Sequence, residues 1–90
     1  MITDKQISAC VEVARRYHAR RLVLFGSAAE DPRNARDIDL VCEGVEGHEF
    51  FRMGAEMEEI TGASIDLVPV PPLSKFAQLV LSQGRVLHET

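Results

Sequence analysis

The chain has 90 residues, of which 46% are hydrophobic and 27% charged, and its formal net charge is -4. This length suits one folded domain, residues 1–90, and the composition excludes a disordered chain. The acidic balance disfavours nucleic acid as the main ligand, because proteins that grip a nucleic-acid backbone carry clustered Lys and Arg. Since no segment resembles a signal peptide or a membrane span, we predict a cytoplasmic protein without a membrane segment.

The period of the hydrophobic pattern changes several times along the chain, which predicts that helices and strands alternate. The predicted elements, in chain order, are a helix from Thr3 whose apolar positions reach His18 and which Arg20 and Arg21 close, a strand at 22–25, a short helix from Ala28, a strand at 37–41, a helix at 48–61, a strand at 64–68, a helix with apolar positions from Leu73 to Leu81, and an edge strand at 85–88. This order predicts an α/β fold, with helices packed on a mixed sheet of about four strands.

Three aspartates stand next to aliphatic residues in predicted strands, although aspartate is poorly suited to strand interiors. Asp37 and Asp39 share one face of a strand, and Asp66 lies in a later strand. Two carboxylates about 7 Å apart repel by roughly 2 kcal/mol at an effective dielectric of about 20. Mg²⁺ would offset this repulsion, since it prefers hard oxygen ligands. The alternative is that the pair simply faces solvent from a half-exposed strand.

A second feature, at Gly26 and Ser27, favours the metal site over the solvent-facing strand. The strand at 22–25 ends in Gly26 and Ser27 and leads into a short helix, which leaves backbone N–H groups and a hydroxyl available for phosphate oxygens. Taken alone, this segment could be an ordinary strand-ending turn. Together, the two features predict that phosphates and a metal meet at one place.

Three motifs in this order resemble those of the nucleotidyltransferases of the DNA polymerase beta superfamily, and specifically its minimal, MNT-type members. They are Leu24-Phe25-Gly26-Ser27, Asp37-Ile38-Asp39-Leu40 and Ile65-Asp66-Leu67. The resemblance covers nearly the whole chain, and the combination is much more specific than any one motif. It implies the nucleotidyltransferase fold.

The resemblance also implies a role for each motif residue. Asp37 and Asp39 would hold two Mg²⁺ ions that bridge the triphosphate of ATP, and Gly26 and Ser27 would contact its phosphates. Asp66 would complete the metal site and help to activate an attacking hydroxyl. The implied reaction is in-line attack on the α-phosphorus, with pyrophosphate as the leaving group.

The implied partner is a protein. MNT-type proteins often pair with a helical HEPN protein in a toxin–antitoxin module, and in some cases they transfer AMP to a tyrosine of that protein. The resemblance therefore implies an adenylyltransferase antitoxin that acts on a HEPN-type partner. Transfer to a small molecule such as an aminoglycoside is a minor alternative, and association of the chain with itself also stays open.

The chain departs from the family pattern near the expected triphosphate. Glu30-Asp31 stands where the family commonly has Arg-Gly, so Arg33 and Arg36 are the candidates to supply compensating positive charge as nucleotide-binding residues. Arg36 itself replaces a common small Ser, and the spacer between the motifs is one residue shorter than usual. These departures leave open a second function, in which a catalytically degenerate module neutralises or scaffolds a partner by contact.

The remaining cysteines and histidines have structural interpretations. Cys10 and Cys42 are expected to be small buried apolar residues. His18, His48 and His88 have no partner at a ligand spacing, and the last two are expected to be exposed at element ends. The core-facing stripe of the helix at 48–61 is predicted to comprise Phe50, Met53, Gly54, Met57 and Ile60.

Overall fold

The computed structural model describes residues 1–70 and 75–90, without the side chains of residues 76, 77, 80 and 81. Its elements are α1 (Asp4–Arg16), β1 (Arg21–Phe25), α2 (Ser27–Glu30), β2 (Asp37–Glu43), α3 (Gly47–Thr61), β3 (Ser64–Pro69), α4 (Lys75–Gln83) and β4 (Arg85–Glu89). This order is the one predicted from the hydrophobic pattern. Leu73, which that pattern places in the helix before β4, lies outside the described residues.

The four strands form one mixed sheet in the order β3-β2-β1-β4. β1 is antiparallel to both β2 and β4, whereas β2 and β3 are parallel because α3 carries the chain back across the sheet. The apolar strand β1 is therefore central and β4 lies at an edge. The predicted α/β fold with a mixed four-stranded sheet is confirmed.

The main core lies between one face of the sheet and helices α1 and α3. Its fully buried members include Leu22, Leu24, Ile38, Leu40, Met53 and Met57. Cys10 and Cys42 belong to the same core, as expected, and burial raises the pKa of each thiol to about 11. None of the helices within the described ranges is long and apolar enough to cross a membrane.

Within the described residues, the opposite face of the sheet carries a second, smaller buried cluster. A small cluster of Val23, Val41 and Val70 is buried there. Helix α4, which precedes β4 in the chain, contacts the central strand β1. Because strand residues alternate between faces, Asp39 and Asp37, which lie two and four residues before Val41, are also on this side of β2.

Helix α1 is shorter than its sequence pattern suggests. It begins with the predicted capping box, in which Thr3 Oγ1 accepts a hydrogen bond of 3.1 Å from the Gln6 N–H. It ends at Arg16, however, and His18 has a left-handed φ of 61° outside the helix. The expected extension to His18 is wrong, because the chain must turn sharply to enter β1. The Ala19 N–H closes this turn with a hydrogen bond to a helix carbonyl.

Two other expectations about exposure are also wrong. Ile60, assigned to the buried stripe of α3, is 54% exposed, since the main core covers α3 only as far as Met57. His88, expected at the surface, is half-buried because β4 pairs with β1, and one ring nitrogen lies 3.0 Å from the Ala19 carbonyl oxygen. His48 is exposed, as predicted.

Candidate functional site

The three aspartates lie together at one end of the sheet face opposite the main core. Asp39 and Asp66 are direct partners in the parallel register of β2 and β3, whose backbones are about 4.8 Å apart. Asp37 lies two residues before Asp39 on the same face, and the fully buried Ile38 between them points into the main core. Asp37 and Asp66 are exposed, while Asp39 is half-buried. The fold thus places all three predicted carboxylates side by side.

The electrostatics of this cluster are unfavourable without a counter-charge. Partial burial, and then the negative charges of Asp66 and Asp37, raise the pKa of Asp39 above its ordinary value. Carboxylate oxygens are the ligands that Mg²⁺ prefers, so the donor set fits this cation. Among the residues that the structure describes, no group of three or more His, Cys, Asp or Glu side chains has the arrangement of a metal site.

Gly26 packs directly against this cluster. It follows Phe25, which is the antiparallel partner of Asp39. Its backbone has a φ of 70° and a ψ of -154°, a region that only glycine occupies readily. A Cβ at this position would collide with Asp39 Oδ2 and would lie 3.3 Å from Asp39 Cγ. Glycine is therefore required by the backbone conformation and by the neighbouring carboxylate.

Backbone donors start immediately beyond Gly26. Ser27 is the first residue of α2 and is exposed. The N–H groups of Ser27 and Ala28 have no acceptor within the helix, because the first residues of any helix lack one. The Gly26 carbonyl already accepts from the later N–H groups of α2. The first N–H groups and the Ser27 hydroxyl are thus available to an anion beside the aspartates.

The charged residues after α2 differ in their surroundings. Asp31 is engaged in the turn, where its Oδ2 accepts a hydrogen bond of 2.7 Å from Asn34 Nδ2. Arg33 lies in that turn and Arg36 directly precedes β2; both are exposed, and neither belongs to an ion pair formed within the described ranges. Glu30 is exposed and lines a cavity that also borders Gly26.

This cavity has a volume of about 300 Å³ and lies between α2 and α4. Its walls include Phe25, Gly26, Ala29, Glu30, Leu79 and Gln83. The sequence motifs do not indicate Leu79 or Gln83 as site residues. Their proximity to Gly26 depends on how α4 packs beside β1, and no local pattern carries that information.

The element order, the sheet topology and the position of the aspartates together define the nucleotidyltransferase fold. Solved structures of toxin–antitoxin pairs share this fold. One, a toxin–antitoxin pair with AMP-PNP, matches with a TM-score of 0.73 at 18% identity and covers 99% of this chain and 75% of the other. A structure of the pair MntA-HepT matches with a TM-score of 0.70 at 17% identity, over 98% and 74% of the two chains.

A third structure contains a tri-AMPylated HEPN toxin from Shewanella oneidensis in complex with its MNT antitoxin. It matches with a TM-score of 0.69 at 17% identity and covers 96% of this chain and 71% of that chain. No protein-family model and no curated protein matches the sequence. At these identities the likeness establishes the fold and confirms the fold implied by the sequence motifs.

Proposed function

We propose that this protein is a Mg²⁺-dependent nucleotidyltransferase that transfers AMP from ATP to a hydroxyl on a HEPN-type partner protein, as the antitoxin of a toxin–antitoxin pair. The observation that carries this proposal is that Asp39 and Asp66 lie side by side on adjacent strands, with Gly26 packed against Asp39. Carboxylates suited to a metal and backbone donors suited to phosphate thereby meet at one end of the sheet. Transfer of a nucleotide requires both groups at one place.

Each predicted site residue has a place in this scheme. Asp37, Asp39 and Asp66 would hold Mg²⁺, which neutralises the triphosphate and the pyrophosphate that leaves. The backbone around Gly26 and the Ser27 hydroxyl would bind phosphate oxygens. Positioning and charge neutralisation would supply most of the rate acceleration.

The reaction itself is a substitution at the α-phosphorus. The acceptor hydroxyl oxygen forms a bond to the α-phosphorus while the bond from that phosphorus to the bridging oxygen breaks, and pyrophosphate leaves. Asp66 takes the proton of the hydroxyl. Arg33 and Arg36 are exposed in the segment that joins α2 to β2. In this scheme they would supply positive charge to the triphosphate.

The choice of acceptor rests on the structural neighbours. In the Shewanella oneidensis complex the HEPN toxin is AMPylated and bound to its MNT antitoxin, and another neighbour contains AMP-PNP. The present chain shares the fold of these structures over nearly its whole length. A hydroxyl of a HEPN-type partner, such as a tyrosine, is therefore the acceptor that we assign to it.

Label transfer tests this function. The tagged chain, purified together with its bound proteins from the source cells, is incubated with Mg²⁺ and ATP labelled at the α-phosphate. We expect label on a HEPN-type protein, and none when the label is at the γ-phosphate. The Asp37→Ala, Asp39→Ala double variant should bind the same protein without labelling it, whereas Glu59→Ala, which removes an exposed carboxylate on α3, should label normally. Equal labelling by the double variant would contradict the proposal.

A second candidate function is favoured by Glu30 and Asp31, which bring negative charge where the family pattern has Arg-Gly. In this alternative the chain neutralises its partner by contact and transfers nothing. The Asp37→Ala variant distinguishes the two functions. If this variant neutralises a bound toxin as well as the wild type does, the protein acts by contact. If the variant still binds the toxin but no longer neutralises it, the protein acts by catalysis.

A further inference from the structure

We propose that the cavity between α2 and α4 holds the nucleoside half of the nucleotide, and that Glu30 selects the nucleoside by accepting a hydrogen bond from its base or ribose. This inference rests on the proposed function, since it concerns the same substrate. It assigns a role to a residue that departs from the family pattern. It also explains why a carboxylate can be tolerated so close to a phosphate site.

Gly26 connects the cavity to the aspartate cluster. Its Cα faces the carboxylate of Asp39, and the residue also lines the cavity. A molecule whose phosphates contact Gly26 and Ser27 therefore has the cavity within reach of its remaining part. The cavity volume of about 300 Å³ is at the lower end of the range for small-ligand pockets, which suits one part of a nucleotide.

The lining of the cavity is mainly apolar and contains an aromatic ring. Phe25 is half-buried, and Leu79 is 51% exposed although it is a large aliphatic residue. A planar base placed here would cover the exposed part of Leu79 and contact the Phe25 ring. Ligand sites commonly combine such apolar walls with a few polar groups that fix orientation. Among the described lining residues, the polar side chains are those of Glu30 and Gln83.

Glu30 has the chemistry of a selective acceptor. An ionised carboxylate only accepts hydrogen bonds, and it repels the phosphates of a nucleotide. Within the described ranges its side chain forms no ion pair or hydrogen bond, in contrast to the neighbouring Asp31. The favourable partner for Glu30 is therefore a donor on the uncharged half of the nucleotide. An exocyclic amino group and a ribose hydroxyl both meet this requirement.

Calorimetric titration with matched nucleotides tests the inference. The folded protein in Mg²⁺ is titrated with ATP, with inosine triphosphate, which lacks the amino group, and with the 2′-deoxy and 3′-deoxy forms of ATP. We expect one analogue to bind the wild type roughly tenfold more weakly than ATP, because it loses one charge-assisted hydrogen bond. That analogue identifies which donor Glu30 contacts.

The Glu30→Gln variant gives the decisive comparison. Its preference for ATP over that analogue should fall to about threefold or less, since a neutral hydrogen bond is roughly half as strong. All the ligands share the same triphosphate, so loss of repulsion between charges cancels in this ratio. Asp31→Asn removes one charge from the adjacent residue and should keep the wild-type ratio.

Two results would overturn the inference in different ways. If Glu30→Gln discriminates among the nucleotides as the wild type does, or if the wild type does not discriminate at all, the role of Glu30 is wrong while nucleotide binding stands. If the folded wild type binds no triphosphate, both the inference and the proposed transferase function fail.

Discussion

Replacing Gly26 by alanine should destabilise the protein through two separate effects. The backbone at Gly26 has a φ of 70° and a ψ of -154°, and a non-glycine residue in such a conformation costs about 1–3 kcal/mol. The new Cβ would also collide with Asp39 Oδ2, so the half-buried carboxylate must move. We expect a total loss of about 2–4 kcal/mol in the free energy of unfolding.

Gly62→Ala is the reference for a glycine of positive φ whose substitution causes no collision. Gly62 also has a left-handed φ, of 69°, but a Cβ there would meet no atom within 4 Å. Its loss should be about 1–2 kcal/mol, which is the backbone cost alone. Urea denaturation followed by circular dichroism measures both variants. Equal losses in the two variants would refute the argument that Gly26 makes room for Asp39.

A double-mutant cycle isolates the collision. Asp39→Ala removes the carboxylate that the new Cβ would meet, so the loss caused by Gly26→Ala should be smaller in the Asp39→Ala background. We expect a coupling free energy of about 1 kcal/mol. Strictly additive changes would show that the two residues do not compete for the same space.

Other consequences of the structure are open to simple measurements. Asp39→Asn should stabilise the metal-free protein by up to about 1 kcal/mol at pH 7, because the pKa of Asp39 is raised in the folded state and its ionised form is therefore unfavourable there. This advantage should be absent below the ordinary pKa of 3.8, grow as pH rises from that value to the raised pKa, and be complete above the raised pKa; equal stability of the two proteins at pH 7 would contradict it. Since burial raises the pKa of Cys10 and Cys42 to about 11, neither thiol should react with a disulfide reagent at pH 8 until urea unfolds the chain; rapid reaction of the native protein would show that they are accessible. Phe51→Ser should change the free energy of unfolding by less than about 0.5 kcal/mol because the side chain is 75% exposed, whereas the fully buried Met53→Ala should lose about 2–5 kcal/mol; comparable losses in denaturant titrations would contradict this contrast.

The residues of the site were predictable where their placement depends on local rules. Strand alternation alone puts Asp37 and Asp39 on one face, and the Gly26-Ser27 break alone ends β1 beside a helix start. Local rules of this kind do not predict that Asp39 and Asp66 are adjacent. It depends on the register of two parallel strands that α3 connects, and hydrophobic alternation within each strand does not determine that register.

The features that the sequence did not indicate depend on contacts between distant elements. His88 is half-buried because β4 pairs with β1, and Leu79 reaches the cavity because α4 packs beside β1. The early end of α1 follows from the turn that the chain makes at His18 to enter β1. Hydrophobic periodicity describes each element by itself, and it contains no information about these contacts.

The central claim is that the aspartate cluster and Gly26 form a working site for Mg²⁺ and a nucleoside triphosphate. Calorimetric titration of the folded chain with ATP in Mg²⁺, alongside the Asp37→Ala, Asp39→Ala double variant, tests it most directly. We predict saturable binding by the wild type that requires Mg²⁺ and is lost in a folded double variant. Absence of binding by the wild type, or equal binding by both proteins, would contradict the claim.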